Sequence, residues 1–240
     1  MNIFLIVLAT IVSTTIGGLF AIKFKDKLHL ILGFGAGAIL GVALFDLLPE
    51  SIELVREENN LQIVTMLIAL GFCAYMLVDR FFSLHDHNED GCENHHHNGR
   101  LGASAIIFHS FLDGFGIGLA FKISPAVGWT VALAVLVHGF ADGINTVNMI
   151  IKNKGGRKVA LKWLAIDALA PATGIIVANI LTIPGSILGL ILSLFVGLFL
   201  YISTSDLIPE SHHRHPAIWT TIATIVGIVV IYCIKNTSPF

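Results

Sequence analysis

Residues 108–118 read FHSFLDGFGIG and residues 137–147 read VHGFADGINTV, near copies whose histidines stand 29 residues apart. Each carries a histidine, three intervening residues, then aspartate and glycine: His109, Asp113 and Gly114 in the first, His138, Asp142 and Gly143 in the second. Both segments lie inside long apolar runs. The fold must therefore place two imidazoles and two carboxylates where little water reaches them.

The surrounding composition says what that environment is. Of the 240 residues, 55% are hydrophobic and 12% are charged, where a soluble domain carries about 25%. Mean hydropathy is +0.83. Apolar runs of roughly 20 residues cross a bilayer core as helices. Eight such runs are predicted, at about 2–22, 28–48, 61–82, 101–122, 128–151, 159–182, 186–208 and 216–235. The polar breaks between them leave no room for a separate soluble domain. Residues 1–240 are expected to form one all-α membrane domain, with a polar His-rich loop at 83–100. The first run lacks a basic leader and an A-x-A cleavage site, so it is expected to be retained as a helix. Cys73 and Cys233 fall in apolar runs and are expected to pack inside, while Cys92 falls in the polar loop. No structural disulfide is implied, and the net charge of −2 gives no reason to expect a nucleic-acid partner.

Basic loops stay cytoplasmic. The side holding the loops after runs 1, 3, 5 and 7 carries eleven Lys and Arg residues, and the other side three (Arg56, Lys122 and Lys235). Both termini are therefore expected outside the cell membrane and the His-rich loop inside.

A second duplication spans the chain. Asp46-Leu47-Leu48-Pro49-Glu50-Ser51 ends run 2, and Asp206-Leu207-Ile208-Pro209-Glu210-Ser211 ends run 7. The offset is 160 residues, and Gly37 and Gly197 keep it. Run 2 climbs outward and run 7 returns, so the two ends lie on opposite membrane faces. Runs 1–3 and 6–8 thus read as inverted halves around a central pair, 4 and 5. Inverted repeats are a common ground plan for transporters, with the site near the midplane.

On a helix, residues four apart share one face. At about 1.5 Å per residue, antiparallel runs 4 and 5 bring His109 level with Asp142 and Asp113 level with His138. Two imidazoles and two carboxylates suit zinc or another divalent metal of intermediate softness. No thiolate accompanies them, which fits a site that must release its ion. A structural role, as paired His–Asp hydrogen bonds, is the plainer alternative. Along the path, Asp46 and Glu50 are candidates at the outer mouth, with Asp206, Glu210 and His212 at the inner one. Ser110 is a polar neighbour of the site, and Asp167, one turn before Pro171, is a further candidate lining residue. In the loop, His85, His87, Cys92, His95, His96 and His97, mixed with acids, suggest metal capture near an exit.

At these residues the chain resembles the ZIP (Zrt/Irt-like) family of metal transporters, in a short eight-helix form. The family's helix-4 pattern, H-N-x-x-[DE]-G, is matched by His109, Asp113 and Gly114, and its helix-5 pattern by His138, Asp142 and Gly143. The resemblance implies passage of zinc, or of iron, manganese or cadmium, into the cytoplasm. Ser110 stands where the family often has Asn, Gly139 where it often has a ligand, and Ala170 where a glutamate often precedes the helix-6 proline. All three positions would serve a second metal, so a single primary site is expected. Two rival readings are a cation-diffusion-type zinc exporter and an intramembrane zinc-dependent hydrolase. The exporter class has six spans and non-adjacent ligand helices. A hydrolase needs a general base or oxyanion donors beside the metal, and none is evident here. A transporter, not an enzyme, is expected; its partners would be divalent ions and membrane lipid, with a homodimer as a candidate assembly.

Overall fold

The computed structural model describes residues 2–23, 29–55, 61–87, 98–152, 155–212 and 218–237. Among these the regular structure is entirely helical. We number the spans in chain order: α1 (Asn2–Lys23), α2 (29–55), α3 (Leu61–His87), α4 (Asn98–Ile123), α5 (Pro125–Lys152), α6 (Arg157–Ile180), α7 (185–212) and α8 (Ile218–Thr237). Among the described residues eight helices are long and apolar enough to cross a membrane. Helix α3 continues to His87, past its expected end near residue 82, and α5 begins at Pro125 rather than near 128.

The turn that fixes the central pair is short and fully specified. Ser124 precedes Pro125, and a residue before proline is driven out of the helical region, which ends α4 at Ile123. Proline then opens α5 at the first helical position, where its missing N–H costs nothing. The Val127 N–H donates to Ser124 Oγ at 3.2 Å, a side-chain N-cap. With one residue between them, α4 and α5 run antiparallel and side by side.

The remaining contacts sort the spans into two sets. Helix α1 lies along α5 and α4 along α6, while α2 lies along α8 and α3 along α7. Exchanging the inverted halves maps the first contact of each pair onto the second. The first set, α1/α4/α5/α6, contains the central pair; the second is α2/α3/α7/α8. Each of the four contacts is built on reciprocal glycines. A Cβ on Gly143 would strike the Thr14 carbonyl, and one on Gly17 the Phe140 carbonyl. The same cross-pattern joins Gly114 with Gly174, Gly37 with Gly227, and Gly71 with Gly197. Lipid offers helices no hydrophobic drive to associate, so backbone-close packing at small residues supplies the contact. Gly114 and Gly143 directly follow the two central aspartates, which ties each site helix to its neighbour.

Both D-x-x-P-E-S segments interrupt their helices in the same way. A π-helical turn occupies Ala43–Leu47 in α2 and Ile202–Leu207 in α7. Pro49 and Pro209 cannot donate to the carbonyl four residues back and would clash with it, and a widened turn relieves both problems. In α2 that carbonyl, of Phe45, instead accepts a hydrogen bond from Lys235 Nζ of α8.

One expectation is corrected. Cys73 and Cys233 are exposed rather than packed inside. In a bundle this small the outer faces of α3 and α8 look outward. An apolar residue there needs lipid, not protein, around it.

Candidate metal site

His109 and Asp113 on α4 meet His138 and Asp142 on α5. All four are buried, and one donor atom from each lies within 4.8 Å of the others. Asp113 is central. Its Oδ2 stands 2.9 Å from His138 Nε2 and 3.1 Å from His109 Nε2, and Asp142 Oδ2 stands 3.9 Å from His138 Nε2. Donors about 2.0 Å from a zinc ion in a tetrahedron are roughly 3.3 Å apart. The observed spacings bracket that value, so small side-chain rotations would seat an ion.

Hydrogen bonding around the four supports a cation there. His138 Nδ1 lies 2.8 Å from the carbonyl oxygen of Ala134, one turn back on its own helix. A carbonyl only accepts, so Nδ1 carries the proton and, in neutral imidazole, Nε2 is left with a lone pair. That lone pair faces a carboxylate oxygen, and two acceptors at 2.9 Å require a proton or a metal between them. Outer partners of this kind fix the tautomer of metal-binding histidines. Asp113 Oδ1, also buried, has no hydrogen-bond partner among the described residues. Two ionised carboxylates with neutral imidazoles carry a charge that one divalent ion cancels.

The other histidine is held differently. Tyr75 Oη on α3 stands 3.3 Å from His109 Nδ1, so a side chain of the second helix set touches the quartet of the first.

Asp167 on α6 is fully buried but lies outside the four-donor group. Its Oδ1 accepts from Ser110 Oγ at 2.7 Å and its Oδ2 from Thr146 Oγ1 at 2.9 Å. Ser110 and Thr146 sit next to and one turn past the site residues of their helices. The three side chains join α4, α5 and α6 immediately behind the quartet. Asp46 is 3% exposed, with Oδ2 unpartnered among the described residues, and Glu50 is half-buried. Asp206, Glu210, His212, His85 and His87 lie on described helical backbone, but their side chains fall outside the described residues. So do Cys92, His95, His96 and His97 entirely.

Sequence reasoning missed Tyr75, Tyr201, Asp79 and Thr146. A signal existed for the tyrosines. The chain has three, and two of them follow Gly71 and Gly197, the two glycines of the α3–α7 crossing, by one helical turn.

Comparison with known proteins identifies the family. The family described as ZIP Zinc transporter matches residues 2–104 and 101–235. The zinc transporter ZupT of Corynebacterium aurimucosum is 26% identical over 250 residues, covering 95% of this chain and 94% of the relative. Zinc transporter ZIP9 of Xenopus tropicalis is 25% identical over 279 residues, covering 92% and 89%. Zinc transporter zipt-7.1 of Caenorhabditis briggsae is 24% identical over 242 residues; the alignment covers 76% of this chain but 62% of that longer relative. Because the family match runs through both inverted halves and the central pair between them, this chain, a multi-pass membrane protein, belongs to the ZIP zinc transporter family.

Proposed function

We propose that the chain carries zinc across the cell membrane into the cytoplasm, with His109, Asp113, His138 and Asp142 as the transport site. The observation that carries this is the convergence of four buried donor atoms within 4.8 Å on two adjacent membrane helices. A charged group at that depth costs a few kcal/mol or more, which a purely structural hydrogen bond does not require. Iron, manganese and cadmium are further substrates of the same donor chemistry. The site is read as holding one metal, because Ser110 is engaged by Asp167 and neither Gly139 nor Ala170 offers a donor side chain.

Residues 1–240 act in this reading as one transporter domain, with the termini outside and residues 83–100 in the cytoplasm. Inward passage is the direction that the family resemblance implies, and the asymmetry of basic residues supports which face is cytoplasmic. An incoming ion meets Asp46 and Glu50, enters the quartet, and leaves past Asp206, Glu210 and His212 toward the His-rich loop. Access alternates by motion of one helix set against the other. Reciprocal glycine crossings bind helices within each set, so the boundary between the sets is the compliant one. Lipid covers the outward apolar faces, and a homodimer is the assembly to look for by mass measurement in detergent.

Uptake of a panel of divalent ions into proteoliposomes tests the reading. His109→Ala and Asp142→Ala are each expected to abolish saturable zinc uptake while the protein stays folded. Near wild-type uptake by both variants would remove the quartet as the site.

A further inference from the structure

We propose that Tyr75, braced by Tyr201 and Asp79, is a positioning residue for His109. Acting across the boundary between the helix sets, it makes zinc affinity depend on how the sets are aligned. The inference rests on His109 being a ligand and adds the group that orients it.

Tyr75 and Asp79 lie one turn apart on α3, and Tyr201 lies on α7. The Tyr75 and His109 ring centroids are 6.1 Å apart, and those of Tyr75 and Tyr201 are 5.6 Å apart. Tyr201 Oη donates to Asp79 Oδ2 at 2.9 Å, and Phe72 packs edge-on against the Tyr201 ring at 5.2 Å. The result is a continuous series from Asp79 through Tyr201 and Tyr75 to His109 Nδ1. Its members up to Tyr75 belong to the second set, and His109 to the first.

The hydroxyl suits both states of the site. With metal on Nε2, His109 carries its proton on Nδ1 and donates it to Tyr75 Oη. Without metal, Nε2–H can donate to Asp113 Oδ2, and Tyr75 then donates to Nδ1. A carbonyl could serve only the first state. His138 has such a carbonyl, from Ala134 of its own helix, and keeps it however the sets move. His109 keeps its partner only in this alignment. A shift of one set against the other therefore withdraws an outer-shell bond from one ligand and favours release.

The inverted repeat supplies an internal control. Gly227 and Gly71 differ by 156 residues, so Ile231 is the counterpart of Tyr75 and Lys235 of Asp79. The 160-residue offset makes Gly41 the counterpart of Tyr201. In that half, Ile231 packs directly on Gly41, an apolar contact with no hydroxyl and no site residue. The shared architecture therefore does not demand a tyrosine pair here.

Zinc binding to the purified protein in detergent and zinc uptake by proteoliposomes are measured together. Outer-shell partners are worth about 10- to 100-fold in metal affinity. Tyr75→Phe is expected to weaken binding about 10-fold and raise the apparent KM similarly, with Vmax retained. Tyr201→Phe should act in the same direction and less. In a His109→Asp background, which has no imidazole to orient, Tyr75→Phe should add nothing. Unchanged affinity and KM for Tyr75→Phe would overturn the proposal, as would an equal loss in the His109→Asp background. If uptake by Tyr75→Phe collapses altogether, the binding measurement decides, and wild-type affinity overturns it. Wild-type zinc binding by His109→Ala would instead overturn the site itself, and this inference with it.

Discussion

The α2–α8 and α3–α7 contacts are the same construction turned upside down, and they part company one turn past their glycines. Both cross at reciprocal glycines, Gly37 with Gly227 and Gly197 with Gly71, and both carry a π-helical turn ahead of a proline. At the next turn α8 offers Ile231 to Gly41 and then Lys235 to the Phe45 carbonyl. At the corresponding turn α3 offers Tyr75 to Tyr201 and His109, and then Asp79 to Tyr201. One contact closes on itself; the other reaches His109 of the four-donor quartet. The duplicated scaffold thus sets where helices can touch, and a few divergent side chains set which contact extends to the quartet.

A second asymmetry points the same way. Helix α2 lies along α5 closely enough that a Cβ on Gly35 would sit 3.3 Å from His138 Cβ. Helix α7 meets α4 through rings instead, with Phe195 and Phe199 against Gly116. Phe195 also stacks on Phe115, at 6.0 Å between centroids. An inverted repeat captured in one alignment cannot present both of its halves to the site equally, and backbone contact on one side with aromatic filling on the other is how this chain divides them.

The harshest way to break the comparison is to remove what the two contacts share. Gly37→Leu and Gly197→Leu each force a side chain into a backbone carbonyl, and each should cost about 3 kcal/mol or more. Loss of monodisperse protein or a clearly lowered Tm in detergent would register it for both halves alike. An unchanged Tm for either variant would mean that the crossing opens freely.

Removing what differs should separate the halves. Asp79→Asn takes the charge from the acceptor of Tyr201 and is expected to raise the KM for zinc a few-fold. Lys235→Met deprives the Phe45 carbonyl of its donor and should cost about 1 kcal/mol of stability while leaving the KM alone. If the two variants change the same parameter, the contrast between the contacts is only apparent.

Thiol labelling sharpens the inversion itself. Ala43 and Ser203 are both fully buried, and Ser203 Oγ donates to the Ala36 carbonyl at 2.9 Å. In a background lacking the native cysteines, Ala43→Cys should react with an impermeant reagent only from outside and Ser203→Cys only from inside. Both should react slowly, because this alignment covers them. Reaction from one common side would exclude the inverted route. Because Cys73 and Cys233 are exposed, replacing them should cost little.

The smallest effect is expected in the His-rich segment. Changing His85, His87, His95, His96 and His97 to serine should leave the initial rate of zinc uptake within about twofold, since substitutions away from a site rarely matter. Complete loss would place the segment on the obligatory path.

Much of this protein follows from the sequence read on its own. Bilayer thickness makes a 20-residue apolar run legible as a span, so the helix count needed no coordinates. Helical periodicity makes His109 with Asp113, and His138 with Asp142, face-mates, and an antiparallel pair brings them level. The repeated D-x-x-P-E-S marked the inversion because a proline and two acids near a helix end are conspicuous against an apolar background. Tertiary structure decided what depends on a helix's rotation and on contacts between helices distant in sequence. It turned Asp167 onto Ser110 and Thr146 rather than into the quartet, and it put Cys73 and Cys233 on the outer face. It also carried Tyr75 from α3 to His109 across the set boundary. An almost uniformly apolar helix has a weak moment and gives little sign of which face turns inward. The rotation is set by where glycines allow backbones to meet, and that becomes visible only when both partners are in place.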